Sequence, residues 1–205
     1  MDSQAVKALC LDVGNVLVEI NIARGINYLG LSVDDPLSHK IHALGQWETY
    51  DAFERGSILE EQFLHALRSH LGVELPDIDL INFWNSSIER LVTGIEHVLS
   101  DVLGRIPVYA LTNTSPIHFD HCMRNMTIFH RFERVIASFH LGHRKPEAQI
   151  FTAAANLIGQ PPERILFIDD SIMNIHVAKQ VGYQAEVCDR SSEKLREILV
   201  QYGVL

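Results

Sequence analysis

Five short stretches of near-continuous apolar residues punctuate the chain, at 5–11, 106–111, 134–138, 164–168 and 183–187. Outside the gap after the first, helical periodicity fills the spaces between them. Strands buried on both faces of a parallel sheet read this way, because helices cover both sides. The pattern therefore predicts an α/β fold, a doubly wound, Rossmann-like parallel sheet. Local signals place the helices. Ser115-Pro116 sets a capping residue before a proline at a first helical position. Pro146-Glu147 opens a helix ending near Gly159, and Ser171 opens another that stops at Gly182.

From about Ile20 to Leu91 the pattern changes, and only helical periodicity is visible. Ser57-Ile58-Leu59-Glu60 reads as a capping box, followed by an apolar face of Ile58, Leu59, Phe63, Leu64, Leu67 and Leu71 and closed by Gly72. This stretch is too long for a simple crossover. It is expected to be an inserted helical cap, dividing the chain into a core of residues 1–16 and 92–205 and a cap of residues 17–91. Trp47, Tyr50 and Phe53 could line a cap pocket but are expected in the cap core, and Glu54 and Arg55 could reach a substrate but are expected on its solvated surface.

Composition narrows the function classes. At 205 residues the chain can bury a full core. A formal charge of −9 with no basic stretch argues against a nucleic-acid or anionic-membrane partner. No apolar run reaches the length that spans a bilayer. MDSQAVKA lacks the basic start and apolar centre of a secretory signal, and Cys10, Cys122 and Cys188 are odd in number and far apart. A reduced, cytoplasmic protein is the expectation, either a monomer or a homodimer.

Open parallel sheets bind ligands beyond the carboxyl ends of their strands. There the first strand delivers Asp12, the second Thr112 and Asn113, and the fourth Asp169 and Asp170, while Lys145 follows the third. Each residue alone has an ordinary explanation as a cap or a solvated side chain. Their convergence on one edge makes chemical sense. Asp12 can attack phosphorus as a carboxylate nucleophile. Lys145 and a divalent cation can neutralise a phosphoryl group, with the Thr112 hydroxyl and nearby backbone N–H groups holding its oxygens. Asp12 and Asp170 supply the hard oxygen ligands that Mg2+ favours. Lys145 is also expected to offset repulsion among the carboxylates and keep Asp12 ionised.

The ordered stretches LDVGNVLV, LTNTSP, LGHRKPE and FIDDSIMN resemble the four motifs of the haloacid dehalogenase superfamily, and the helical insertion is similar to the small cap of its subfamily IA. The chain looks most like the branch containing glucose-1-phosphate phosphatase and the N-terminal domain of soluble epoxide hydrolase. The resemblance implies a magnesium-dependent phosphomonoesterase that works through an aspartyl-phosphate on a small phosphorylated metabolite, a sugar phosphate by expectation. It implies catalysis by Asp12 and Lys145, phosphate binding by Thr112, Asn113 and Lys145, and metal binding by Asp12, Asp170 and the Gly14 carbonyl. Asp169 is implied as a ligand or as the partner of one. Asn174 stands where many relatives carry an acid.

Gly14 departs from the superfamily pattern, which has an aspartate acting as general acid and base at that place. Losing it costs about 10²- to 10⁴-fold in rate unless something compensates. Either the leaving group is a good one, or another residue protonates it, and His118 and His143 are the candidate substitutes by sequence. The alternatives are a haloacid dehalogenase- or phosphonatase-like hydrolase, which also lacks that aspartate, and a degenerate phospho-ligand binder. A signalling receiver domain combines similar residues but carries its acidic pair after the first strand.

Overall fold

The computed structural model describes residues 5–205; residues 1–4 of the expected core and N-terminal stretch lie outside the described residues. The chain begins with β1 (Ala8–Leu11), β2 (Val18–Ile20), α1 (Ile22–Tyr28) and α2 (Pro36–Ala43). Next come α3 (Glu48–Glu54), α4 (Glu60–Leu71), α5 (Asp77–Asn85), β3 (Ile88–Leu91) and α6 (Ile95–Val102). Then follow β4 (Val108–Thr112), α7 (Pro116–Asn125), β5 (Arg134–Ala137), α8 (Ser138–Leu141), α9 (Ala148–Ile158), β6 (Ile165–Asp169), α10 (Ile172–Val181), β7 (Gln184–Val187) and α11 (Ser192–Gln201).

All five predicted strands form. They make one parallel sheet in the order β5-β4-β1-β6-β7, with every residue of β1 and β6 buried. The two faces are covered by separate apolar clusters, one built on Leu9 and Leu11, the other on Ala8 and Cys10. That alternation along a single strand is the period-two pleat reading out to opposite sides. From β1 the chain winds outward through β4 to β5, then returns to β6 on the other side of β1. The winding therefore reverses between β1 and β6, which is where such sheets open a crevice.

Two strands lie where only helices were expected. β2 and β3 pair antiparallel, with Val18 opposite Leu91 and Ile20 opposite Ile88 and a register irregularity between. Each is three or four residues long and its partner is about seventy residues away in sequence, so no local signal marks it. The helices they bracket surround a third apolar cluster, in which Phe53 stacks on Phe63 at 4.2 Å between ring centroids.

The capping box also differs from expectation. The α4 helix starts three residues after Ser57, and the Gln62 side chain accepts from the Leu59 N–H at 2.8 Å. Leu59 is 65% exposed, while Phe63, Leu64, Leu67 and Leu71 are buried. Gly72 closes the helix at φ +71, as its lack of a Cβ permits. At α7, Ser115 accepts from the His118 N–H and Pro116 opens the helix, as the sequence indicates.

Candidate active site

Sheet register assembles the site. Leu11 pairs with Ile168 and the Asp12 N–H donates to the Ile168 carbonyl, so the next residues on β1 and β6, Asp12 and Asp169, emerge side by side. Between them stands Lys145. Its Nζ is 2.7 Å from Asp12 Oδ1 and 2.6 Å from Asp169 Oδ2, and its ammonium lies 5.6 Å from the centre of the Phe167 ring. All three side chains are buried. Such a cluster holds together only because each charge has partners.

The neighbouring aspartates are used differently. Both oxygens of Asp169 are engaged: Oδ2 by Lys145, and Oδ1 by the Ser171 N–H and Asn174 Nδ2, each at 2.8 Å. Asp12 Oδ1 accepts from the Val13 N–H as well as facing Lys145, and Asp170 Oδ2 accepts from Asn15 Nδ2 at 3.0 Å. Among the described residues, Asp12 Oδ2 and Asp170 Oδ1 are left without a protein hydrogen bond. Ligand oxygens of Asp12, Asp169 and Asp170 lie within 4.8 Å of one another. Three carboxylates against one ammonium leave an excess of two negative charges when all are ionised. Two free carboxylate oxygens in that field suit a hard divalent cation such as magnesium.

Burial raises the Asp12 pKa and outweighs the opposing pull of Lys145. The sequence-based expectation that Lys145 keeps Asp12 ionised thus has the right sign but not the larger weight. Burial raises Asp170 as well. For Lys145, burial alone would favour the neutral amine; Asp12 and Asp169 reverse this and hold it well above its ordinary value, as an ammonium.

The remaining predicted residues divide. Thr112 ends β4, buried beside β1, and its hydroxyl donates to the Asn113 carbonyl at 3.3 Å. The Asn113 side chain is partly committed to protein. Its Nδ2 donates to the Lys145 carbonyl and its Oδ1 accepts from the Lys145 N–H, both at 2.8 Å, so it holds the lysine's backbone. Asn174 orients Asp169 through its side-chain amide. At Gly14 an added Cβ would meet only Ile20 Cγ1, at an ordinary 3.5 Å, so the backbone does not demand glycine.

His118 sits on α7 with its ring stacked on Trp84 at 5.3 Å and its Nε2 at 2.9 Å from the Trp84 carbonyl. Burial lowers its pKa to about 4, so near neutrality it is uncharged and its Nε2–H is donated to that carbonyl. His143 Nδ1 lies 3.3 Å from Glu147 Oε2. Glu147 also pairs with Arg55.

Sequence reasoning missed several residues that hold this arrangement. Glu54 is not solvated but buried, paired with Arg144 at 2.6 Å. Arg144 also pairs with Asp51, and Asp51 with Arg55. These ions tie α3 to the segment 142–147 that carries Lys145. Asn15 is another of these residues. It takes φ +57, and besides bonding Asp170 its Oδ1 accepts from Arg190 Nε at 2.9 Å. The Gly14-Asn15 pair was the available signal, since asparagine tolerates that backbone and brings an amide with it.

A family model of haloacid dehalogenase-like hydrolases matches residues 6–182, spanning Asp12, Thr112, Lys145, Asp169 and Asp170. The chain belongs to the haloacid dehalogenase-like hydrolases. Among curated relatives of this hydrolase is drimenol cyclase of Aspergillus calidoustus, 26% identical over 97% of this chain, which spans only 37% of that protein. A D-ribitol-5-phosphate phosphatase of Bacteroides thetaiotaomicron is 23% identical over 95% of this chain and 98% of its own. A sesquiterpene phosphatase of Aspergillus oryzae is 27% identical over 86% of each. Of solved structures, a haloacid dehalogenase family enzyme of Bacteroides thetaiotaomicron, crystallised with magnesium and inorganic phosphate, superposes with a TM-score of 0.80. It is 26% identical, over 93% of this chain and 99% of that one. Among the described residues, no helix is long and apolar enough to cross a membrane.

Proposed function

We propose that this hydrolase is a magnesium-dependent phosphomonoesterase of small phosphorylated metabolites, working through an aspartyl-phosphate on Asp12. The observation that carries the reading is the pinning of Lys145 between Asp12 and Asp169 while one oxygen of Asp12 stays free. Magnesium, bound by the free oxygens of Asp12 and Asp170 and the Gly14 carbonyl, would neutralise charge on the transferring phosphoryl group. Asp169 acts from behind, because its oxygens are already committed to Lys145, Ser171 and Asn174.

In the first step the Asp12 oxygen not committed to the cation forms a bond to phosphorus, and the ester oxygen departs with the bonding pair. Water then attacks the phosphorus of the acyl phosphate, releasing inorganic phosphate and restoring the carboxylate. Lys145 stays charged throughout and steadies Asp12 Oδ1, and Thr112 contributes its hydroxyl to the phosphate oxygens. No side chain at position 14 protonates the departing oxygen. His118 is poorly suited to do so, with its proton donated to Trp84 and its pKa near 4. The chemistry therefore favours leaving groups that depart with little help.

Residues 17–91 act in this reading as a cap that selects substrate and excludes water. The sequence resemblance leads to a sugar phosphate, and the names of the relatives point both to a sugar-alcohol phosphate and to sesquiterpenes.

Phosphate release from a panel of esters, with magnesium, with chelator and with Asp12→Asn, tests the proposal. Turnover should require magnesium and fall by about 10⁴-fold or more in Asp12→Asn, since the nucleophile is lost. Halide release instead would favour the dehalogenase alternative. Phosphate binding with no product from any ester would favour a binder.

A further inference from the structure

Between β2 and the helices α1, α2, α3 and α5, with His118 of α7, lies a cavity of about 140 Å³. Its apolar wall is made by Ile20, Ile22, Ile41, Leu44 and Phe83. Its polar side chains are turned to protein partners. The Ser87 hydroxyl donates to the Trp84 carbonyl at 3.0 Å, and His118 Nε2 meets the same oxygen. Trp84 Nε1 reaches Ser115 Oγ at 3.4 Å, and the Tyr50 hydroxyl interacts with buried Glu54. A polyol entering this space would lose water from its hydroxyls and gain few bonds in return, which costs free energy for each one buried.

The cavity adjoins the reaction centre through one residue. Ile20, part of its wall, is also the side chain that a Cβ on Gly14 would touch at 3.5 Å, and Gly14 is two residues beyond Asp12. At Gly14 the chain presents a bare backbone facing an apolar wall. Just past Asp170, Ile172 and Met173 are 73% and 60% exposed, continuing the apolar character around the metal-binding carboxylates.

Resting on the phosphomonoesterase reading, we infer that the substrate is a phosphate monoester with an apolar organic part, whose first five or six carbons occupy this cavity. A cavity of this size accepts a benzene-sized group. Recognition is by burial of carbon, not by hydrogen bonds to hydroxyls.

Isopentyl phosphate and ribitol 5-phosphate test this, because both expel a primary alkoxide, so the missing acid handicaps them equally and their ratio reports polarity. With magnesium, kcat/KM for isopentyl phosphate should exceed that for ribitol 5-phosphate by about 10²-fold, the effect of burying a few methylene groups. Ile22→Asp places a charge on the cavity rim at a residue 42% exposed, where folding tolerates it. It should erase most of that ratio by raising KM for the isopentyl ester, while Ile22→Leu keeps it. A ratio near one, a preference for ribitol 5-phosphate, or a ratio that Ile22→Asp leaves unmoved would overturn the substrate assignment and leave the phosphatase reading standing. No phosphate from either ester, nor from an aryl phosphate, would overturn both.

Discussion

Lys145 and its carboxylates sit at the ends of buried parallel strands, where nearly every polar atom has a protein partner and two oxygens have been left over. The neighbouring cavity is built the opposite way, with the polar atoms of Tyr50, Trp84, Ser87 and His118 turned to protein partners and carbon facing inward. One region concentrates charge that an ion and a phosphate can satisfy; the other offers nothing but surface to be covered. In the proposed reading, reaction and selection are thus separated in kind as well as in place. The same carboxylate cluster can serve different esters if the helices between β2 and β3 change their lining, which fits relatives named for substrates as unlike as a sugar-alcohol phosphate and a sesquiterpene.

The largest effects should come from breaking the charged region. Lys145→Met would leave Asp12 and Asp169 buried side by side with no cation between them. Losing one partner of a buried ion pair costs about 3–5 kcal/mol. Thermal unfolding should show that loss, and magnesium should restore part of it by supplying charge from the other side. Turnover should fall by about 10³-fold, because the phosphoryl charge and the nucleophile lose the same ammonium. A Lys145→Met protein as stable as wild type would mean that the carboxylates are already protonated in the folded state.

Gly14→Asp tests the border between the two regions. A Cβ there meets only Ile20 at 3.5 Å, so the fold should accept the substitution with little change in melting temperature. Its effect belongs to the leaving group. In wild type, kcat/KM across a series of substituted phenyl phosphates should fall steeply as the phenol becomes more basic. In the variant the dependence should flatten, with about a 10²-fold gain on the poorest leaving group, as a general acid provides. Similar aromatic esters keep the cavity contacts constant, so the slope reports protonation alone. An unchanged slope would show that wild type already has an acid, and His143 would be the next residue to replace.

The two regions also differ in how legible they are in the sequence. Asp12, Lys145, Asp169 and Asp170 can be found because each lies at the end of a strand or the start of a helix, and those elements leave local patterns. β1 is ALCL, buried throughout, and the aspartate after it needs no knowledge of distant residues. The cavity has no such signature. Ile20 belongs to a three-residue strand whose partner is β3, and Ile22, Ile41, Phe83 and His118 come from four different helices. Tyr50 and Phe53 sit three residues apart on α3, yet one lines the cavity and the other is buried against Phe63. Periodicity gives the shared face and cannot divide it. Glu54 and Arg144 were hidden for a similar reason, since a buried ion pair linking residues ninety apart reads in sequence as two surface charges.

His118 lines the cavity, and its titration separates a wall from an acid. In the folded protein burial lowers its pKa to about 4, against 6.5 for an ordinary histidine. Between those values the unfolded chain binds the proton and the folded one does not, so unfolding free energy rises with pH there. The stabilising contribution of the neutral ring is complete above pH 6.5 and is lost as pH falls through 4. Across that window it is worth about 2 kcal/mol, discounting the full shift because the ring keeps some access to solvent. His118→Phe retains the stack on Trp84 and removes the titration, so its stability should vary less with pH than that of wild type between 4 and 6.5, as urea unfolding at several pH values would measure. If the ring is only a wall, changes in turnover should fall on KM for apolar esters and leave kcat within about threefold. If it is the missing acid, kcat should drop by about 10²-fold, most on the most basic leaving groups. The first result would leave the departing oxygen to fend for itself, as the bare backbone at Gly14 implies.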